Sequence, residues 1–227
     1  MSAIDTAVIE AEAEAEAVAE EPGSRARPGD PRARSLSGEK AQRIVDAMRR
    51  SVAQRGTAAS TFDHVSREAG VSRGLLHYYF GTKEQLLAEA VRRDCDLRLE
   101  RLEQQLSTAK TADDFIDLMA QSLHETVSED PDFVTLVFEL FTLSRRNADI
   151  AAEYAGLMRN TREHVAGMLA AAQREGVLRL HAEPDAVAEV LFSIGDGFAL
   201  RMLTEPDRDF TATIRAGIAC SRALLTD

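Results

Sequence analysis

A chain of 227 residues has room for one large or two small domains, and a hydrophobic content of 44% is enough for a real core. Its two cysteines, Cys95 and Cys220, lie too far apart in sequence for a CxxC motif, which argues against a zinc site or a disulfide framework. The net charge of −11 argues against a nucleic-acid partner only until it is mapped: residues 1–38 sum to −4, 39–84 to +3 and 85–227 to −10. Attraction to phosphate needs a local basic face rather than a basic protein, and one segment supplies it.

Residues 1–38 alternate alanine with Glu10, Glu12, Glu14 and Glu16, then turn rich in Pro, Gly and Arg. Like charges four apart disfavour an isolated helix, so a disordered tail is expected. The tail is either inert or an arm that brings Arg25, Arg27, Arg32 and Arg34 to DNA. It lacks the positive start and apolar run of a signal peptide, and no later run approaches the ~20 apolar residues of a membrane span. A cytoplasmic protein with no membrane partner is expected.

From residue 39 the periodicity is helical. A first helix over 39–54 places Ala41, Ile44, Val45, Met48 and Val52 on one stripe, with Gly56 as a left-handed cap. A second over 61–69 buries Phe62, Val65 and Ala69. Gly70 makes the turn, Val71 fills the angle, and Ser72 caps a third helix over 72–80. Thr82 caps a long helix from 83 to about 106. Further helices are expected over 112–128, 131–145, 149–175, 184–203 and 209–225, with Pro131 and Pro184 in first turns, where a missing N–H costs little. No strand pattern appears, so the chain is all-α.

In the third helix Leu76, Tyr79 and Phe80 are expected to face the core, leaving Arg73, Gly74, Leu75, His77 and Tyr78 outward. Arg73 can pair with guanine or a phosphate, Gly74 lets the backbone approach a groove, and Thr61 and Lys83 stand at helix N-termini that favour phosphate.

The run FDHVSREAGVSRGLLHYYFGTKEQLL resembles the DNA-binding domain of TetR-type (tetracycline-repressor-like) transcriptional regulators, closely over about residues 40–87. The resemblance implies an N-terminal three-helix helix-turn-helix domain (39–84), a C-terminal helical ligand-binding and dimerisation domain (85–227), and a homodimer on a palindromic double-stranded DNA operator. It implies a repressor released by a small-molecule effector; the alternatives are an activator, or control by a protein partner, which the acidic N-terminal tail favours. By position it implies DNA contacts from Thr61, Arg73, His77, Tyr78, Tyr79 and Lys83, to which Gly74 and Leu75 are added from helix geometry. Leu75 stands where the family often has Thr, Ser or Ala, and His77 where it often has Tyr, so the operator sequence stays open.

In the C-terminal part, Val187, Val190, Leu191, Ile194 and Phe198, with Ile214 and Ile218, form stripes that read either as a four-helix dimer interface or as intrachain core. Gly195 and Gly197 offer close helix approach. The helix over 131–145 is apolar nearly all round, which predicts burial. His124, Phe138, Phe141, Arg145, Tyr154, Met158, Arg162, Phe192 and Asp196 are candidates for a largely apolar ligand pocket, each alternatively core or a surface ion pair.

Catalysis finds no support: GxSxG, HExxH and a P-loop are absent, and Gly195-Asp196-Gly197 lacks the third glycine and preceding strand of a dinucleotide fingerprint. The five scattered histidines show no metal spacing; His124 near Glu125 or Asp130 is a lone possibility, read rather as a surface group. No enzyme activity, cofactor or metal is expected.

Overall fold

This computed structural model describes residues 39–226, where nine α-helices and one π-helical turn occur with no strand. The expected tail and its arginine arm lie outside the described residues. The chain divides into two compact units after Leu87, three residues beyond the point where the charge changes sign. Among the described residues no helix is long and apolar enough to cross a membrane.

The first unit holds α1 (Glu39–Ala59), α2 (Phe62–Ala69), α3 (Arg73–Phe80) and the first turn of α4 (Lys83–Leu106). Ile44, Val45 and Met48 of α1 are buried with Phe62 and Val65 of α2 and Leu76 of α3. Helix α1 reaches further than its apolar stripe, but Gly56, at φ 71°, breaks its regularity as the sequence suggests. Beyond the break, the Ser51 hydroxyl donates to Ser60 Oγ at 3.0 Å and Ser60 donates to the Gly56 carbonyl at 2.9 Å, satisfying buried polar atoms.

The turn between α2 and α3 follows from its residues. Gly70 takes φ 67° and ψ 40°, which a residue with a Cβ rarely adopts. The Val71 N–H then donates to Ser66 O at 3.0 Å. Val71 is half-buried rather than a full plug; Leu76 is the fully buried residue at this angle. Ser72 Oγ accepts from Leu75 N at 3.2 Å. Thr82 and Gln85 cap α4 reciprocally: Thr82 Oγ1 accepts from Gln85 N at 3.1 Å and Gln85 Oε1 from Thr82 N at 3.3 Å.

The second unit holds the rest of α4, then α5 (Ala112–His124), a π-helical turn (Glu125–Glu129), α6 (Pro131–Ser144), α7 (Ala148–Arg174), α8 (Pro184–Thr204) and α9 (Thr211–Leu225). Its core joins Leu106, Phe115, Val165, Leu169, Val187 and Leu225. Thr111 and Asp114 form a capping box on α5, and Asn147 caps α7. The loop after α7 is tied to the end of α9, with Arg179 N donating to Leu225 O at 3.0 Å.

Two expectations change here. The helix over 112–128 is α-helical only to His124; the π-helical turn follows, with Val127 buried within it. Helix α6 is not buried all round. Phe133, Val134, Leu136 and Leu140 are buried, but Phe141 is 46% exposed, so one side faces solvent.

Candidate nucleic-acid interface and ligand cavity

The outer face of α3 is held rigid from below and left open above. Leu76 is fully buried, Tyr79 and Phe80 are half-buried, and Arg73, Gly74, His77 and Tyr78 are exposed. Leu75, expected outward, is only half-exposed. Space around Gly74 is open, with no atom within 4 Å of where a Cβ would stand. Tyr78 is 50% exposed and its ring meets Tyr79 edge-on at 5.0 Å, which limits its rotamers.

Arg73 and His77 form a pre-set pair one turn apart. Arg73 Nε donates to His77 Nε2 at 3.3 Å, and His77 Nδ1 lies 3.4 Å from the Gly81 carbonyl. A neutral ring with its proton on Nδ1 satisfies both contacts. The ring also packs edge-on against Phe62 at 4.6 Å. Arg73 Nη1 reaches Asp63 at 3.3 Å, an exposed pair that holds the guanidinium loosely. The Thr61 hydroxyl accepts only a long 3.4 Å contact from His64 N, so its proton is free for a phosphate.

Lys83 is placed differently from the expectation. Its Nζ donates to Thr57 O at 2.9 Å and Ala58 O at 3.2 Å, closing off carbonyls at the end of α1. The side chain is half-buried. Its placement at a helix N-terminus suggested phosphate; a contact across 26 residues of sequence was not visible locally.

The second unit holds a partly open cavity of about 410 Å³, within the ~300–1,000 Å³ range of small-molecule sites. Of the nine pocket candidates, His124, Phe138, Met158, Phe192 and Asp196 line it. Phe141, Arg145, Tyr154 and Arg162 do not. Phe141 faces outward against Tyr154, with ring centroids 5.8 Å apart. Arg145 is exposed beyond the end of α6. Arg162 pairs with Asp185 at 2.8 Å and Glu189 at 3.6 Å, drawn to the surface by its partners. Tyr154 stays within electrostatic reach of the wall: its hydroxyl is pushed up by burial, then by the charges of Asp196 and Cys95.

Two wall residues carried no local signal. Arg98 pairs with Asp130, donates to Thr126 Oγ1 at 3.3 Å and lies 4.1 Å over the Phe133 ring, all partners distant in sequence. Cys95 is an inert thiol: burial first, then Asp94 and Asp96, push it up to about 12. Asp196 is exposed, with the protein on one side of its carboxyl partly desolvating it. This, with Glu189 nearby, raises its pKa above the ordinary value.

Most residues expected at a dimer interface face inward. Val187 is buried in the core, and Leu191, Ile194, Phe198, Ile214 and Ile218 line the cavity; of this set Val190 is exposed. The outward stripe of α8 is offset from the large-residue stripe and runs Ala186, Val190, Ser193, Gly197, Leu200. Val190 is 44% and Leu200 52% exposed. Helix α9 presents Ala212, Ala216, Ala219 and Ala223 at the same kind of spacing. Most large apolar residues mark the inner face, and the face left open is mainly small residues with Val190 and Leu200 among them.

Residues 44–90 match the family described as bacterial regulatory proteins, tetR family, and residues 112–224 match the BetI-type transcriptional repressor C-terminal family. The HTH-type transcriptional regulator BetI of Agrobacterium fabrum is 47% identical over 49 residues, which are 22% of this chain and 24% of that protein. The chain thus matches about a quarter of the length of that relative. The regulator PksA of Bacillus subtilis is 25% identical over 172 residues, 74% of this chain and 80% of that one. A crystal structure from Saccharomonospora viridis in complex with choline shares the fold at a TM-score of 0.65 and 23% identity, covering 82% of this chain and 98% of that one.

Proposed function

The chain belongs to the TetR family of bacterial regulatory proteins, and from that premise we propose that it is a homodimeric, DNA-binding transcriptional regulator, a repressor released by a small molecule held in the second unit's cavity. The observation that carries this reading is the combination, in one chain, of an open, capped α3 bearing Arg73, Gly74, His77 and Tyr78 with a largely apolar cavity of about 410 Å³. Arg73 supplies the base or phosphate contact, and Thr61 and Tyr78 position the helix on the backbone. Lys83 acts chiefly within the first unit, holding the end of α1.

Two copies pair through the small-residue stripes of α8 and α9, where alanine and Gly197 permit close helix approach about a two-fold axis. The two recognition helices then enter successive major grooves, about 34 Å apart. Cys95, Arg98, Leu99 and Leu102, all on α4, line the cavity, and α4 begins at Lys83, directly after the recognition helix. A ligand that binds one α4 setting better than another alters the groove spacing; equal affinity for both would release nothing.

Footprinting of the purified protein on genomic fragments, including the region upstream of its own gene, at two salt concentrations tests the proposal. The expected result is a protected palindrome whose affinity falls steeply as salt rises. A folded dimer that protects no fragment at either salt, with or without added metabolites, would overturn it.

A further inference from the structure

The imidazole of His77 is tied at both nitrogens. Gly81 N donates to His77 O at 3.0 Å, and His77 Nδ1 lies 3.4 Å from the Gly81 carbonyl, so backbone and ring are held by the residue that ends α3. Phe62 of α2 meets the ring edge-on at 4.6 Å. Nε2 faces Arg73 Nε at 3.3 Å. With its proton on Nδ1 the ring donates to Gly81 and accepts from Arg73. Neither nitrogen then keeps a hydrogen for a base edge or a phosphate.

Arg73 is constrained in turn. Nε donates to His77 and Nη1 reaches Asp63 of α2 at 3.3 Å, which leaves Nη2 and the second Nη1 hydrogen. Those two nitrogens form the end-on edge of the guanidinium, and that edge matches the paired N7 and O6 acceptors of guanine. Asp63 sets the direction only loosely, because both side chains of that pair are more than half exposed. His77 is the stiffer partner, since its ring is packed on Phe62 and bound to Gly81. A contact that is weak in water strengthens once docked DNA excludes the water around it.

Resting on the reading of α3 as the recognition helix, we propose that His77 is a positioning residue that touches no base: it accepts from Arg73 Nε and so aims Nη1 and Nη2 at a guanine. His77 thereby sets the base preference of Arg73, and stands outside the DNA contacts among which its position in α3 first places it.

Selection of bound sequences from a random double-stranded DNA library, with the full chain and its variants, tests this. Gel-shift titration of the selected site at two salt concentrations and thermal melts accompany it. The parent is expected to select a guanine in each half-site that Arg73→Ala no longer selects. His77→Phe keeps a ring against Phe62 but removes the acceptor. It is expected to lower the preference for that guanine about tenfold, with other positions and the salt slope unchanged. His77→Leu, which also lacks an acceptor, is expected to match it. His77→Gln offers an amide oxygen to Arg73 and is expected to restore the preference. Adding His77→Phe to Arg73→Ala is expected to change nothing further at that position. An unchanged guanine preference in folded His77→Phe or His77→Leu would overturn the proposal. So would lost preference at a different base, which makes His77 a reader, or a uniform loss with the salt slope lowered by about 1, which makes it a phosphate contact. A library from which the parent selects nothing would refute the recognition-helix reading and this assignment together.

Discussion

A Cβ on Gly217 would stand 2.5 Å from Cε2 and 2.8 Å from Cζ of Phe198, so α9 meets the cavity wall where it has no side chain. Gly217→Ala forces the ring of Phe198 to turn, and the space beside that ring is the cavity. The expected outcome is a destabilisation of about 1–3 kcal/mol from overpacking. Ligand affinity is expected to fall with it. Thermal melts and calorimetric titration of the variant check both; an unchanged melt and affinity would mean that the ring yields freely.

Arg73→Ala is expected to weaken operator binding by about 1–3 kcal/mol, as loss of a bidentate contact does. Its pairs with Asp63 and His77 are exposed, so the melting temperature should barely move. Gel-shift titration beside a thermal melt checks this. A variant that binds DNA like the parent would remove Arg73 from the interface.

Lys83→Met separates two roles. A phosphate contact would lower the slope of log affinity against log salt by about 1 on its loss. The contacts to Thr57 O and Ala58 O predict instead a lower melting temperature with the salt slope unchanged. Measuring the slope decides between them.

Val190→Asp is expected to give monomers, because the residue is exposed on the small-residue stripe of α8. Gly197→Ala sharpens the test. Nothing lies within 4 Å of its would-be Cβ in one copy, so helix propensity favours the monomer by up to about 1 kcal/mol. A second copy packed closely there would lose affinity through the same methyl. Sedimentation of both variants checks this; an intact Val190→Asp dimer would displace the interface from this face.

The Asp196 carboxyl is raised by burial and then by Glu189, so the native state holds its proton more tightly than the unfolded chain. Its contribution is therefore neutral below the ordinary carboxylate pKa and destabilising once pH rises through the raised value. Asp196→Asn should melt above the parent at neutral pH, and the gain should vanish in acid. Melting curves from pH 3 to 8 check the sign, and a gain independent of pH would assign it to packing rather than charge.

Helix identity, the capped turn at Gly70 and Ser72 and the all-α class were legible because they are local. A cap needs one side chain and three neighbours, and a buried stripe needs only period 3.6. The outward face of α3 was legible for the same reason: once Leu76 is inward, Arg73 and His77 follow outward from geometry. Which apolar face of α8 meets solvent was not legible, because Ile194 and Phe198 are attractive to any neighbour. Their neighbour is the cavity and α9 rather than an open surface. Phe141 went outward and Lys83 turned to the end of α1 through partners that no local window contains.

By itself, then, the sequence determined the helices, their caps and the outward face of α3, since those rest on contacts within a few residues. Tertiary structure alone decided the cavity, the commitment of Arg98 to Asp130 and the turn of Lys83 onto the end of α1. Each depends on which distant side chain does or does not arrive, and charge pairing and cavity volume are properties of the packed whole.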